Sequence, residues 1–158
     1  QQKLQAFDGT QLAFFGNSVA LNQGTALVGA WRAPIGPYPY QGAAYVYVWN
    51  GAVWTLQQKL ISNSTGNEDQ FGSSVSLFGN TALIGANMKS DGLTYFGAAY
   101  LFDRVGTNWS QRQQLAAFDG PAGRAPLRSG RGPGRARAVH SSRDTAATEG
   151  HDAARRLV

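Results

Sequence analysis

Phe15 to Ala30 reads FGNSVALNQGTALVGA, and Phe71 to Ala86 reads FGSSVSLFGNTALIGA, a match that runs from end to end without a gap. The repetition continues on both sides. QQKL at Gln1 to Leu4 returns at Gln57 to Leu60 with the same offset, and WTLQQKL from Trp54 returns as WSQRQQL from Trp109. GAAYVYVWNG from Gly42 is matched by GAAYLFDRVG from Gly97, one position nearer than the motif spacing. A self-similar unit of this length is in the range of propeller blades and unlike the common helical repeats.

Each unit holds four short apolar or alternating runs: Ser18 to Leu21, Thr25 to Ala30, Ala43 to Trp49 and Trp54 to Leu60, with counterparts beginning at Ser74, Thr81, Ala98 and Trp109. Val, Tyr, Trp, Thr and Leu dominate them, and Asn22-Gln23-Gly24, Phe78-Gly79-Asn80 and Asn50-Gly51 supply hairpin-turn chemistry. No amphipathic helix is evident before residue 120. The expected fold is therefore all-β: two four-stranded antiparallel propeller blades and the start of a third. Gly16 and Gly72 are expected to bend the chain into the first strand of each unit. Gly29-Ala30 and Gly85-Ala86 are expected to keep a strand small where blades crowd toward a central axis, with Phe15, Phe71, Trp54 and Trp109 filling the wider space between blades.

With these residues in place, the chain resembles the FG-GAP repeat family, which includes the propeller head of integrin α chains and many bacterial extracellular proteins. The resemblance covers about residues 1 to 120. Phe-Gly at positions 15 and 71 and the segments ending in Gly29-Ala30 and Gly85-Ala86 form the naming motif, although Trp31 and Asn87 stand where the motif has proline. Integrin-type repeats carry a calcium loop rich in aspartate between the two motif strands; here that connection is Asn22-Gln23-Gly24 or Gly79-Asn80. Calcium needs about 6 to 8 oxygen ligands, so no calcium and no other cofactor is expected at that position.

Composition changes sharply near Asp119 and Gly120. Every aromatic residue lies at or before Phe118, and the segment after Gly120 offers only Leu127, Val139, Leu157 and Val158 as large apolar side chains. Residues 1 to 120 hold six basic and six acidic side chains, so the net charge of +5 belongs to the segment beyond them. The next Phe-Gly is due at Leu127-Arg128. Synonymous codons exist for Leu127 to Arg135 whose frame one base later reads FGQAVALD, a repeat start, so a frameshift between Gly120 and Leu127 is inferred. The expected organisation is a preceding blade's last strand and linker at 1–14, blades at 15–60 and 61–115, a third-repeat start at 116–123, and a disordered frameshifted segment at 124–158.

Candidate chemistry is sparse. Gly16-Asn17-Ser18-Val19-Ala20 faintly resembles a serine nucleophile elbow, but the only histidines, His140 and His151, lie beyond the repeats. Glu68, Asp69, Asp8 and Asp119 recur in the inter-blade connections, where turn and loop roles suit them; Asp91 is a weak metal-ligand candidate. Absence of cysteine removes disulfides and thiolate chemistry. GRGPGR lacks the aromatics that stack bases, so no nucleic-acid partner is expected. Asn63-Ser64-Thr65 and Asn108-Trp109-Ser110 fit the glycosylation sequon. No run reaches the roughly 20 apolar residues of a membrane helix.

A binding function is expected to reside in WRAPIGPYPY, Trp31 to Tyr40, through Trp31, Arg32, Tyr38 and Tyr40, because loops at propeller faces vary while strands pack. The sequence thus points to a non-catalytic scaffold for a protein or glycan ligand. The resemblance implies a secreted or cell-surface, adhesion-type protein. The alternatives are an accessory region of a larger extracellular enzyme, or a two-blade chain completed by the rest of a propeller or by identical chains in a ring.

Overall fold

The computed structural model describes residues 1–63, 68–90 and 92–116. Expectations for Asp91, for Ser64-Thr65 of the first sequon, and for everything from residue 117 onward lie outside the described residues. The first sheet contains β1 (Ser18–Asn22), β2 (Thr25–Ala30), β3 (Ala43–Trp49) and β4 (Trp54–Leu60). The second contains β5 (Phe71–Phe78), β6 (Thr81–Ala86), β7 (Ala98–Val105) and β8 (Asn108–Ala116). Both are antiparallel meanders in chain order, and no helix occurs among the described residues. β5 begins at Phe71, ahead of the expected Ser74, because Phe71 pairs with Ala86 across an irregularity that precedes Ser74.

The two sheets share one irregularity as well as their strands. A bulge at Val46/Tyr47 returns at Leu101/Phe102. Asn50 caps its hairpin by accepting the Ala52 and Val53 amides on its side-chain oxygen, at 3.0 and 2.9 Å. Between Ala30 and Ala43 the first sheet has one more residue than the second has between Ala86 and Ala98. The single-position shortening of the repeat therefore falls in the β2–β3 loop.

Period-two alternation decides which side chains meet. Leu27, Val46 and Leu60 of the first sheet enter a common core with Phe71, Ile84, Tyr100, Phe102 and Trp109 of the second. Ala26, Val28 and Ala30 point the other way, packing with Tyr45 and Tyr47 beneath Leu4, Ala6 and Phe15. Covered on both faces, all six residues of β2 are buried. β6 has one covered face: Ala82, Ile84 and Ala86 are buried while Leu83 is 39% exposed.

The sheets meet backbone to backbone at the Phe-Gly motif. The Phe71 amide donates to the Gln41 carbonyl at 2.9 Å, and the Ser18 hydroxyl donates to the Gly72 carbonyl at 2.8 Å. Gly72 has φ of 89°, matching 90° at Gly16, a left-handed conformation that costs glycine little. A methyl group on Gly29 would overlap the Gly72 carbonyl oxygen, and one on Gly42 would overlap that of Phe71. Gly29 is thus small because a neighbouring sheet's carbonyl sits on it, a more specific reason than crowding toward an axis. Gly85, at the equivalent place in the second sheet, meets only the hydroxyl groups of Ser73 and Ser74 and the Ser74 Cβ.

A second inter-sheet device is repeated along the chain. Gln58 Nε2 donates to the Trp109 carbonyl at 2.9 Å, and the Trp109 amide donates to Gln58 Oε1 at 2.7 Å. Gln2 makes the same pair of bonds to Trp54, at 2.9 and 2.7 Å. Each side-chain amide occupies both main-chain groups of one tryptophan, as a neighbouring peptide would.

The repeats differ in one buried pair. Lys89 Nζ lies 2.9 Å from Asp69 Oδ2, with side-chain exposures of 11% and 3%. One repeat earlier the same positions are Ala13 and Ala33, both buried. Removing one partner of a buried ion pair strands the other charge at a cost of about 3–5 kcal/mol. Asp69→Ala or Lys89→Ala alone is expected to lose about that much, and the double substitution to recover most of it, measured by urea unfolding. Gly29→Ala is expected to cost about 2–3 kcal/mol from overpacking against backbone. Gly85→Ala, where the Ser74 hydroxyl can rotate away, is expected to cost below about 1 kcal/mol in the same assay.

Candidate ligand-binding loop

The β2–β3 loop leaves the first sheet at Ala30 and returns at Ala43. Its course is set by backbone bonds: Ala33 N to Ala30 O at 3.0 Å, Gly42 N to Ala33 O at 3.0 Å, and a tight pairing of Ile35 with Tyr38. Three prolines within Pro34-Ile35-Gly36-Pro37-Tyr38-Pro39 stiffen the intervening excursion.

Three of the four expected residues come together. The Arg32 guanidinium carbon lies 4.3 Å from the Tyr40 ring centre and 5.3 Å from that of Trp31. Phe14 joins them, 5.7 Å from Arg32 and stacked on Trp31 with centroids 5.1 Å apart and planes 25° from parallel. Tyr38 does not join: it lies across the loop's own turn from Ile35. The cluster is part exposed, with Phe14 at 47%. A guanidinium held over ring faces keeps its in-plane N–H donors free to serve a planar acceptor such as a carboxylate.

Sequence reasoning missed Phe14, and its backbone shows why it is there. Phe14 has φ of 53°, and Gln70, one repeat later, has 55°. Both residues precede the Phe-Gly motif, and their carbonyls accept the Asn17 and Ser73 amides, closing equivalent turns. A bulky residue in the left-handed region is strained by roughly 1–3 kcal/mol. The turn is common to both repeats, but only the first places an aromatic ring on it.

The second sheet's corresponding loop has another design. Lys89 turns inward to Asp69, its carbonyl accepts the Phe96 and Gly97 amides, and Leu93 and Tyr95 stand exposed. The strands agree between the repeats while this loop does not.

Other polar groups are committed to structure. The Ser18 hydroxyl of the elbow-like segment is spent on Gly72. Asp103 is held below the usual carboxylate range by the Arg112 guanidinium, with the Thr81 hydroxyl assisting. Glu68 is exposed, while Asp69, expected in a loop role, is the buried partner of Lys89. Asp8 ties the segment preceding β1 to the first sheet: its carboxylate accepts from the Lys59 ammonium and from the Tyr45 hydroxyl, the latter at 2.7 Å. Burial pushes the Asp8 carboxyl up, but these two hydrogen bonds and the Lys59 charge outweigh it, leaving it below its ordinary value. Tyr45 moves the other way, first by burial and then through its bond to Asp8.

A carboxylate stabilised in the folded state contributes above its unfolded pKa of about 3.9, and that contribution fades as pH falls through the lower folded value. The gap in melting temperature between the native chain and Asp8→Asn is therefore expected to be full at neutral pH and to close below about pH 4. Thermal melts across pH check this.

A family model described as FG-GAP repeat matches residues 1–47 and 54–102, more than half of the chain. No curated protein matches the chain.

Proposed function

Because this chain belongs to the FG-GAP repeat family, we propose that its two propeller blades form a non-catalytic scaffold that binds a protein or glycan carrying a carboxylate. The supporting observation is the Phe14, Trp31, Arg32 and Tyr40 cluster, which combines part-exposed aromatic rings with a positioned guanidinium in a loop that differs between the two blades. Rings offer stacking surface to a sugar or peptide, and the guanidinium offers paired donors to its acid group. The non-catalytic reading is supported by the structural duties of Asp8, Asp69, Asp103 and Ser18. Secretion and an adhesion-type role are the setting in which such a scaffold acts, and we propose these on the family likeness.

Arrays of acidic and neutral oligosaccharides and peptides, probed with the labelled chain, test this reading. Carboxylate-bearing ligands are expected to be retained by the native chain. Arg32→Ala and Trp31→Ala are each expected to weaken binding about tenfold or more, the value of a lost charge-assisted hydrogen bond or aromatic contact. Unchanged circular dichroism would show that the fold survives. Signal that is indifferent to both substitutions, or no signal on either array, would overturn the proposal.

A further inference from the structure

Three non-glycine residues among those described hold a left-handed backbone: Phe14, Gln23 and Gln70, with φ of 53°, 44° and 55°. Gln23 belongs to the β1–β2 hairpin turn, beside Gly24 with φ of 72°. Phe14 and Gln70 close equivalent turns ahead of the two Phe-Gly pairs. Glycine or asparagine would serve either turn at lower cost, since a large side chain crowds the left-handed backbone. The aromatic ring does nothing for the turn itself: Gln70 closes its own through the same bond, its carbonyl accepting the Ser73 amide at 3.1 Å where that of Phe14 accepts the Asn17 amide at 3.2 Å.

The ring's neighbours supply its purpose. Phe14 stacks on Trp31, and the Arg32 guanidinium lies over Trp31, Tyr40 and Phe14 together. The Arg32 amide donates to the Ala13 carbonyl at 3.3 Å, so the backbone ahead of the strained turn also fixes where the arginine begins. Lys59, Lys89 and Arg112 each meet a carboxylate, whereas Arg32 has no ion-pair partner among the described residues. In the second repeat the counterparts of Trp31 and Arg32 are Asn87 and Met88, and the residue on the turn is a glutamine. Ring, tryptophan and arginine are present together in one repeat and replaced together in the other.

We infer that Phe14 is a positioning residue, whose strained turn holds a ring that presets the Arg32 guanidinium before any acceptor arrives. The turn gives up stability, and the site gains a cation that need not be ordered on binding. Ordering a long, rotamer-rich side chain at the moment of binding weakens affinity about two- to tenfold. The consequence for affinity rests on the carboxylate-binding role proposed above; the preset geometry does not.

Side-chain NMR of the full chain without ligand tests the geometry. Ring currents are expected to displace the Arg32 δ protons upfield of their position in an unfolded chain. Phe14→Gly is expected to abolish more than half of that displacement, and Gln70→Gly, which relaxes the equivalent turn, to leave it intact. Phe14→Asn, which tolerates the left-handed backbone and carries no ring, replaces Phe14→Gly if that chain unfolds. The strain is read from thermal melts: at positions 14 and 70 the glycine variant is expected to melt above the alanine variant, the reverse of their order at ordinary positions. A Phe14→Gly chain that keeps more than half of the Arg32 displacement overturns the positioning role. A Phe14→Ala chain that melts at or above Phe14→Gly overturns the strained turn. Titration with sodium acetate against sodium chloride, read on the Arg32 side-chain Nε–H signal, carries the test to binding. The native chain and Gln70→Gly are expected to respond alike, and Phe14→Gly about two- to tenfold more weakly. Equal responses from the native and Phe14→Gly chains overturn the inference. A native chain with no response to acetate defeats the carboxylate reading instead, and the ligand-free displacement then decides the role of Phe14.

Discussion

The Gly72 carbonyl, seated against Gly29 and accepting the Ser18 hydroxyl, is the contact on which the arrangement of the two blades depends. Two sheets normally pack about 10 Å apart through side chains, but here one strand's backbone comes directly onto the next sheet. That approach forces glycine at positions 29 and 42 and a left-handed turn at Gly72. It also satisfies backbone groups at the strand entry, through Gln41, that would otherwise be buried without partners. Once the backbones lock, Leu27, Val46 and Leu60 have no choice but to fill the space beside Phe71, Tyr100 and Trp109. The paired Phe and Gly of the motif have separate tasks: the ring anchors the apolar core and the glycine supplies the carbonyl at short range.

This division explains what can be read from the sequence. Strand positions, hairpin turns and the four-strand unit follow from alternation and from the constant offset between Phe15 and Phe71, because both record packing local to one blade. The loop from Trp31 to Tyr40 stands out by its aromatics and its difference from the second repeat. Phe14 does not, since it reads as half of a Phe-Phe pair at the motif, and only the left-handed turn directs its ring to Trp31. Proximity in sequence groups Tyr38 with the cluster, but the tight Ile35–Tyr38 turn takes it elsewhere.

The polar contacts are less legible, though signals for them exist. Glutamines in QQKL suggest a solvated outer strand, and nothing local says that one of them grips the next blade. The buried Asp69–Lys89 pair can be found by aligning the repeats, where Ala13 and Ala33 change together to an acid and a base. Covariation inside one chain carries the same kind of information as covariation between relatives. Either solution fills the same space: two methyl groups, or a charge pair that closes on itself.

The glutamine clamp has a consequence for how such chains grow. Gln58 recognises the amide and carbonyl of Trp109, groups that every residue except proline possesses, while the adjacent Gln57 accepts the indole N–H of the same tryptophan at 2.9 Å. The joint therefore asks of the unit it receives only the few residues at the seam, a tryptophan whose ring enters the shared core and the Phe-Gly pair. Gene duplication can therefore append, delete or reorder such units without redesigning the seam between them. Loops such as 31–42 are then left to diverge one unit at a time, each free to acquire a specificity of its own while the joints stay interchangeable.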